Sequence, residues 1–328
     1  MKKKLALILC CALSLSQLLA ACGDSSSTPS SQPPQQPSGP ATVQYTQGFK
    51  TSTGGIDDLK VACDQQGTVV FIDYETPAYA YDESVTLTKT AYIYLPYGYD
   101  EAKEYNIVYL MHGGGESEKY WFIDERWGET TRNVLDNMIK NGICDPVIVV
   151  TPTFNEEGYE GDGAQNAELC VVFGKELRNN LIPAVEGQYS TYAKGDTSVE
   201  NLIATREHRA FAGFSMGSYT SIQAGLMQNL DIISYFGSYS GALTTVDEFL
   251  TVVENDTFKD YSIGFWFNGN GRGDMALEEH DEFAHGVLEA MDRLTDGENF
   301  AWINMRDGAH MYGSWIVDLY NSLLVFFK

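Results

Sequence analysis

Positive charge is scarce in this 328-residue sequence. It contains 21 lysine and arginine residues against 45 aspartate and glutamate residues, which gives a formal net charge of −24 at pH 7. A surface this acidic repels the phosphates of nucleic acids and the headgroups of anionic lipids. We therefore expect no nucleic-acid partner, and we expect a secreted protein that acts on neutral substrates.

Motifs for metal and nucleotide binding are also missing. The sequence has no C-x-x-C pair and no H-E-x-x-H segment, and His280 and His285 are not at the i, i+4 spacing that places two ligands on one helix face. The glycine-rich segment 268–274 lacks the Lys-Ser/Thr that completes a phosphate-binding loop. We predict neither a metal site nor a cofactor.

The first 42 residues have the composition of an export signal followed by a linker. Residues 1–21 combine a lysine cluster with an interrupted apolar run, and Leu19-Ala-Ala-Cys22 resembles a bacterial lipoprotein cleavage site. Residues 22–42 are rich in Ser, Pro and Gln and have little to bury. We predict a signal peptide, lipid attachment at Cys22 and a linker. The protein would then be anchored by lipid on the extracellular side of the bacterial cell envelope, with plain secretion as the alternative.

Three cysteines follow this segment, Cys63, Cys144 and Cys170. Three thiols cannot all pair with one another. One disulfide with one free thiol, and three free thiols, are both compatible with the sequence, so their pairing stays open.

Residues 43–328 are predicted to form one α/β domain. Apolar or β-rich runs alternate with segments of helical length, and they occupy 67–73, 89–95, 105–111, 146–150, 208–214, 263–267 and 300–304. Continuous apolar runs of this length between helices are typical of a parallel sheet that is covered on both faces. We expect a mainly parallel central sheet with helices on both faces and an antiparallel N-terminal part.

The segment Gly213-Phe-Ser-Met-Gly217 follows one of these runs and fits the pattern G-x-S-x-G. A helix-compatible stretch, 216–230, comes next, and this strand–turn–helix setting is that of a nucleophile elbow. Glycines on both sides of the serine leave room for the tight turn. Ser215 is therefore a candidate nucleophile, while a serine that only caps a helix would fit the same position.

A nucleophilic serine of this type needs an acid and a base, which follow it in the order Asp or Glu and then His. His310 lies in a turn-rich loop after a predicted strand, where catalytic residues are often placed, whereas His280 and His285 lie on a predicted surface helix. Asp274 ends the loop after another predicted strand. We favour Asp274 and His310. The weaker candidates for the acid are Asp247 and Asp260.

The tetrahedral intermediate of such a reaction carries a negative charge that backbone N–H groups must stabilise. His112-Gly-Gly-Gly115 follows a predicted strand and resembles the glycine-rich loop that provides one donor. The N–H of the residue after Ser215 would provide the other. We predict an oxyanion hole formed by the backbone of Gly114, Gly115 and Met216.

Four segments together resemble the esterase D type family of α/β-hydrolases, and in particular the bacterial feruloyl and acetylxylan esterases of carbohydrate esterase family 1. They are Tyr94–Asp100, Tyr109–Gly115, Gly213–Gly217 and the Gly308–His310 loop followed by Trp315. The resemblance covers about residues 63–328. It implies an α/β-hydrolase fold in which Ser215, Asp274 and His310 form the catalytic triad. Ser218 departs from the family, whose members usually carry a second glycine there.

The resemblance also implies a serine carboxylic-ester hydrolase, with feruloyl or acetyl groups on plant cell-wall xylan as the expected substrates. Aromatic residues after the glycine loop, Trp121, Phe122 and Trp127, would line a pocket for the acyl group or the sugar, where their rings favour a feruloyl group, or they would fill the core. Two alternatives stay open. One is acyl transfer with the same triad, and the other is carbohydrate binding by a non-catalytic surface lipoprotein.

Overall fold

The computed structural model describes residues 48–160 and 167–328. The predicted signal peptide, the predicted lipidation residue Cys22 and the predicted linker lie outside these ranges. One sheet of eight strands forms the centre of the domain, with the order β1-β2-β4-β3-β5-β6-β7-β8. In chain order, strands β1 to β8 comprise Thr68–Ala78, Asp82–Leu95, Asn106–Met111, Val147–Thr151, Arg209–Phe214, Tyr235–Tyr239, Phe265–Gly271 and Phe300–Met305.

The sheet has an antiparallel beginning and a parallel main part. Strands β1 and β2 form an antiparallel hairpin, and β2 also pairs antiparallel with β4. From β4 across to β8 every pairing is parallel. The loops that follow β3, β5, β6, β7 and β8 therefore meet at one edge of the sheet, which is where open α/β sheets bind their ligands. The expected α/β-hydrolase fold is confirmed.

Helices cover both faces of the sheet. In the described ranges, helices α1 to α9 comprise Gly128–Lys140, Ala167–Glu176, Ile182–Glu186, Val199–Ala204, Met216–Thr220, Met227–Asn229, Val246–Val253, Leu277–Ala290 and Tyr312–Val325. Side chains of α1 and α9 pack into one hydrophobic core, and those of α2, α7 and α8 pack into a second. None of these helices has the length and hydropathy that crossing a bilayer requires.

Strand β3 shows why apolar residues run continuously through the central strands. Ile107, Tyr109 and Met111 belong to the core that contains α2, α7 and α8, whereas Val108 and Leu110 belong to the core that contains α1 and α9. Successive side chains of a strand point to opposite faces of the sheet. A strand that is buried on both faces therefore needs an apolar residue at nearly every position.

One strand is missing from the sequence-based prediction, and one predicted helix is interrupted. Strand β6 has the sequence Tyr-Phe-Gly-Ser-Tyr, so its glycine and serine hide it from a search for apolar runs. It is nevertheless buried at every position, between β5 and β7. The stretch predicted as one helix from residue 216 is helical as far as Asn229, but a π-helical segment at Ser221–Leu226 separates α5 from α6.

The three cysteines of the domain, Cys63, Cys144 and Cys170, are free thiols. Burial raises the pKa of Cys144 and of Cys170 to about 12. Both thiols are therefore protonated at neutral pH, and they pack as small apolar side chains.

Candidate active site

Ser215 lies at the sharp turn between β5 and α5. Its backbone has φ 55° and ψ −119°, a conformation that costs free energy in any residue other than glycine. The Ser215 amide donates a hydrogen bond of 2.8 Å to the Tyr239 carbonyl at the end of β6. A Cβ atom on Gly213 would lie 2.6 Å from the Gly217 carbonyl oxygen, so only glycine fits before this turn. This strained turn has the form of a nucleophile elbow.

His310 lies in the loop between β8 and α9 and faces Ser215. Its Nε2 atom is 3.0 Å from Ser215 Oγ, and its Nδ1 atom is 2.9 Å from Asp274 Oδ1. The Trp315 ring packs edge-on against the His310 imidazole, with ring centroids 5.2 Å apart and the ring planes at 87°. When Nδ1 donates to the carboxylate, Nε2 can accept the hydroxyl proton of the serine. The structure thus brings the three side chains predicted from separate loops into one hydrogen-bonded chain.

Asp274 follows β7 and is 7% exposed. Its Oδ1 accepts hydrogen bonds from His310 and from the Ala276 amide, both of 2.9 Å. Burial alone would raise the pKa of this carboxyl group, but the hydrogen bonds outweigh burial and lower the pKa below its usual value. Asp274 is therefore ionised at neutral pH. The weaker candidates for the acid, Asp247 and Asp260, are both exposed.

Ser240, which the sequence-based prediction does not include, lies beside Asp274. It directly follows β6 with φ 60°, and its Oγ accepts a hydrogen bond of 2.9 Å from Trp315 Nε1. The Ser240 hydroxyl contributes to the lowered pKa of Asp274. Ser240-Gly241, directly after β6, has the composition of a turn, and this signal could have located Ser240 if β6 had been recognised.

The predicted oxyanion loop follows β3 and packs against the elbow. A Cβ atom on Gly113 would lie 2.4 Å from the Phe214 ring, so the loop backbone lies directly on the residue before Ser215. The buried His112 imidazole donates from Nδ1 to the Gly113 carbonyl and contacts the Thr153 hydroxyl through Nε2, both at 2.7 Å. Burial lowers the pKa of His112 to about 4. His112 is therefore neutral at pH 7, and its hydrogen bond to the Gly113 carbonyl holds the loop in place.

The predicted oxyanion donors lie in the loop after β3 and at the start of α5. Gly114 is partly exposed, and Gly115 is exposed with φ 74°, a conformation that favours glycine. Met216 is the first residue of α5, and the first amides of a helix have no partner within the helix. The Met216 amide therefore has no partner within the helix, and the role of all three amides stays a prediction.

The structure corrects the role expected for two aromatic residues. Trp121 is 0% exposed and Phe122 is 1% exposed, so neither can stack on a substrate ring. The Trp121 indole donates to the carbonyl of the last residue of β3 and packs edge-on against Phe214. The chain after the glycine loop folds inwards here because these large rings fill the core below the elbow. Trp127 is partly exposed and stacks on Tyr312 with 4.5 Å between ring centroids, so it stays a candidate for substrate contact.

His280, predicted to lie on a surface helix, does not face solvent, because its side chain is 0% exposed. Its Nε2 lies 3.2 Å from Asn268 Oδ1, and its Nδ1 lies 3.2 Å from both the Gly241 amide nitrogen and Asn270 Nδ2. Burial lowers the pKa of His280 to about 3, so the ring is neutral at pH 7. His280 thus connects the loop after β6 to β7, the strand that leads to Asp274.

Two buried ion pairs lie elsewhere in the domain. Arg209 and Glu186 are 2.6 Å apart with both side chains buried, and Lys89 and Glu176 form a second buried pair at 2.8 Å. Within the part of the chain that the structure describes, no group of three or more His, Cys, Asp or Glu side chains could hold a metal ion.

A family model for esterases matches residues 84–296, which is more than half of the chain and includes Ser215 and Asp274. The chain belongs to the esterase family. The strained serine turn and the Ser215–His310–Asp274 hydrogen bonds are the arrangement of a serine carboxylic-ester hydrolase.

Two curated relatives of this esterase are much longer proteins. Endo-1,4-beta-xylanase Y of Acetivibrio thermocellus is 43% identical over 179 residues, which cover 55% of this chain and 15% of the relative. The endo-1,4-beta-xylanase/feruloyl esterase of Xylanibacter ruminicola is 30% identical over 175 residues, which cover 51% of this chain and 22% of the relative. The esterase chain thus matches less than a quarter of the length of either relative.

A solved structure is similar over nearly its whole length. It is the feruloyl esterase module from Clostridium thermocellum, a serine-to-alanine variant complexed with sinapinate. The sequence identity is 32% and the TM-score is 0.70, with 83% of this chain and 92% of the module covered. The resemblance to feruloyl esterases is confirmed.

Proposed function

We propose that this esterase removes feruloyl groups from plant cell-wall xylan through a Ser215–Asp274–His310 triad. The observation that carries the proposal is the hydrogen-bonded chain from Ser215 Oγ through His310 to Asp274, built on a strained elbow. Such a chain is what nucleophilic attack by a serine requires, because the hydroxyl is a weak nucleophile until a base accepts its proton.

In the first half of the proposed reaction, Ser215 Oγ attacks the carbonyl carbon of the ester while His310 Nε2 accepts the hydroxyl proton. The ionised Asp274 accepts the hydrogen bond from His310 Nδ1 and stabilises the imidazolium that forms. When the tetrahedral intermediate collapses, the bond to the sugar oxygen breaks and His310 Nε2 returns the proton to that oxygen. The feruloyl group is left as an ester of Ser215.

The tetrahedral intermediate carries a negative charge on the former carbonyl oxygen. In the proposed mechanism the amides of Met216 and of Gly114 or Gly115 donate to this oxygen. Removing one donor of this kind costs about 3 to 4 kcal/mol of transition-state stabilisation. Neutral His112 holds the loop in place without adding a charge to the site.

In the second half, a water molecule gives its proton to His310 Nε2 and attacks the carbonyl carbon of the Ser215 ester. When this second tetrahedral intermediate collapses, the bond to Ser215 Oγ breaks, His310 Nε2 returns the proton to that oxygen, and ferulate is released. The alternative of acyl transfer differs only here, because a second alcohol would replace water. Adding an alcohol acceptor to the assay separates the two reactions, since a transferase would form a new ester in preference to the free acid.

Three observations support an aromatic acyl group on xylan. The solved module of 32% identity is named a feruloyl esterase and is complexed with sinapinate. One curated relative carries both xylanase and feruloyl esterase in its name. The net charge of −24 is suited to a largely neutral polysaccharide rather than to an acidic polymer. An acetyl group on the same polysaccharide is the second candidate.

For the cellular location, we propose that Cys22 carries a lipid anchor and that the linker 22–42 holds the catalytic domain outside the cell. The order of charged, apolar and small residues before Cys22 supports this proposal. Mass spectrometry of the full chain extracted from membranes tests it. An unmodified N-terminus, or complete release of the protein from cells, would reject the anchor.

Substrate preference is tested by comparing kcat/KM for methyl ferulate with the rate of acetate release from acetylated xylan, with Ser215→Ala as the control. The proposal expects ferulate release that the variant loses. Release of acetate without any release of ferulate would favour acetylated xylan as the substrate. Binding of xylan without turnover of either ester would favour the non-catalytic alternative.

A further inference from the structure

Residues 50–53 lie against the loop that carries His310. This loop comprises residues 306–311, between β8 and α9. The segment 50–53, which we call the N-terminal strap, precedes β1, and 254 positions separate Thr53 from its partner Asp307 in the loop. Because the strap and the loop are so distant in the chain, their contact is a feature of the tertiary structure and not of local chain geometry.

Asp307 is the residue that joins the loop to the strap. Its Oδ1 accepts a hydrogen bond of 2.9 Å from the Thr53 amide. Its Oδ2 accepts hydrogen bonds from the hydroxyl groups of Ser52 and Thr53, at 2.8 Å and 3.1 Å. The bond from the Thr53 amide and the bonds from the two hydroxyls lower the pKa of Asp307 to about 2. The carboxylate is therefore ionised, and hydrogen bonds to a charged acceptor are stronger than those between neutral groups.

Further hydrogen bonds hold the strap in place. The Arg306 amide donates to the Thr51 carbonyl at 3.0 Å. The Lys50 amide donates to Asn321 Oδ1 at 2.8 Å, and Asn321 Nδ2 donates back to the Lys50 carbonyl at 2.9 Å. Asn321 is buried on α9, the helix that follows the loop. The strap is thus bonded both to the start of the His310 loop and to the helix after it.

The stability of the fold does not account for three hydrogen bonds to Asp307. Its side chain is exposed, so water could solvate the carboxylate, and hydrogen bonds between exposed groups add little to the unfolding free energy. The triad, in contrast, requires a fixed loop. His310 Nε2 lies 3.0 Å from Ser215 Oγ, and catalytic groups have to be held within about 0.5 Å of their productive positions. Loops are more mobile than the elements that they connect, so a loop with such a residue needs fixed points.

Another contact holds the middle of the same loop. The Gly308 carbonyl accepts a hydrogen bond of 2.9 Å from the amide of Gly273, the residue before Asp274. His310 follows Gly308 by two residues. The loop is therefore held by the strap at Asp307 and by the loop of Asp274 at Gly308, directly before the imidazole.

Resting on the triad proposed above, we propose that the N-terminal strap positions His310 and that Asp307 is the positioning residue through which it acts. Asp307 lies outside the hydrogen-bonded chain of the triad and has no direct part in the reaction. Without its bonds to the strap, the start of the loop can shift and carry the imidazole away from Ser215 Oγ. Such a shift slows the proton transfers in both halves of the reaction and leaves the binding of the ester unchanged. The strap should therefore affect kcat rather than KM.

The test is Asp307→Ala, which removes all three hydrogen bonds at once. A displacement of catalytic groups by about 1 Å costs about 100-fold in rate. Because the bond at Gly308 limits the shift, we expect kcat to fall about ten-fold while KM stays within about two-fold of the wild-type value. The factor should be the same for methyl ferulate and methyl butyrate, since His310 transfers the proton in both hydrolyses. A loss confined to ferulate would mean that Asp307 contacts the substrate, and it would overturn the proposal.

Two further variants show whether the effect passes through the strap. Asp307→Asn keeps an oxygen that can accept from the Thr53 amide, so it should recover part of the lost kcat. The double variant Ser52→Ala/Thr53→Ala removes the two hydroxyl donors, and it should lose less kcat than Asp307→Ala because the Thr53 amide still donates. Adding these two changes to Asp307→Ala should cause no further loss, since the bonds are already absent. Additive losses would overturn the proposal.

Asp82→Ala is the matched control. Asp82 is also an exposed aspartate, at the start of β2, and its Oδ1 accepts hydrogen bonds from the Ser84 amide at 2.9 Å and from the Ser84 hydroxyl at 2.7 Å. It lies outside the triad loops, so kcat should be unchanged. Melting temperatures are measured for all variants. A wild-type kcat in Asp307→Ala, whatever its melting temperature, would show a merely structural role and overturn the proposal.

Failure of the proposed function would be visible separately. A wild-type protein that hydrolyses butyrate but not ferulate would overturn the feruloyl proposal alone, and the same variants would then test the strap with butyrate. A wild-type protein that hydrolyses neither ester would overturn the triad, and the strap proposal with it.

Discussion

The α carbon of Gly217 packs against the carbonyl oxygen of His112, so closely that a Cβ atom at Gly217 would lie 2.4 Å from that oxygen. The same Cβ atom would lie 2.9 Å from the Met111 carbonyl oxygen. Gly217, the second glycine of the elbow, thus packs directly against the backbone at the start of the glycine-rich loop after β3. The serine turn and the start of the predicted oxyanion loop contact each other through their backbones, so we expect a change at Gly217 to alter both together.

We expect Gly217→Ala to lower both stability and activity. The atoms that would meet the new methyl group belong to the backbone, so no side chain can move aside and the loop itself must shift. Overpacking of this kind costs about 1 to 3 kcal/mol of unfolding free energy. A displacement of catalytic groups by about 1 Å costs about 100-fold in rate. Urea unfolding measures the first effect, and ester hydrolysis measures the second.

Gly313→Ala is the control for this change. Gly313 lies in the first turn of α9, close to His310 in the chain, and a Cβ atom there would approach no atom nearer than 3.9 Å. Alanine loses less backbone entropy than glycine on folding, so we expect unchanged activity and up to about 1 kcal/mol of added stability. Equal losses in the two variants would contradict the packing argument.

For the triad, we expect Ser215→Ala and His310→Ala each to lower kcat by at least about 10⁴-fold while the protein stays folded. The double variant should be no slower than either single variant, because nucleophile and base act as one unit and the loss of one makes the other useless. Steady-state hydrolysis of methyl ferulate measures the rates, and circular dichroism verifies the fold. Additive losses in the double variant, or more than a few per cent of activity in either single one, would contradict the assignment.

Asp274→Asn should lower kcat by about 10³- to 10⁴-fold, less than the loss of Ser215. An amide cannot stabilise the imidazolium, and it disfavours the tautomer in which Nδ1 carries the proton. Because hydrogen bonds lower the pKa of Asp274 below its usual value, the wild-type carboxylate is ionised at pH 5 as at pH 7. Asp247→Asn is the control, since Asp247 is exposed on α7 and should leave kcat unchanged. A larger loss in the control would mean that Asp247 is the acid.

The sequence reveals the fold where burial requires apolar residues. The central strands β3, β4 and β5 are buried on both faces, so they appear as unbroken apolar runs. Strand β6 is equally buried, but it contains Gly237 because a Cβ atom there would lie 2.8 Å from Ala212 Cβ. At this position the strand needs a residue without a side chain rather than an apolar one, because the neighbouring strand is so close. A search for apolar runs therefore cannot detect β6.

The residues of the candidate site also divide into those that the sequence reveals and those that it does not. Ser215, Asp274 and His310 could be predicted because each stands in a recognisable setting after a strand, and the parallel sheet brings those settings to one edge. Whether one particular polar or aromatic side chain is buried depends on tertiary packing, which the residues beside it in the chain do not record. For that reason Trp121 could be mistaken for a surface ring, and His280, whose neighbours in the chain are acidic, could be mistaken for a solvated residue.

The burial of His280 leads to a prediction about acid stability. Its pKa is lowered from 6.5 to about 3 in the folded protein because burial disfavours the charged ring, with Asp274 opposing and His285 adding to that effect. Between these two values the unfolded chain binds a proton that the folded protein does not, so stability falls as the pH decreases from about 7. The contribution of this one residue between pH 7 and pH 5 is about 2 kcal/mol. Urea titrations give the unfolding free energy at pH 7 and at pH 5. In His280→Gln the difference between these two values should be smaller than in the wild type by about 2 kcal/mol, whatever stability the variant loses at pH 7. An unchanged difference between pH 7 and pH 5 would show that His280 is not held neutral by the fold.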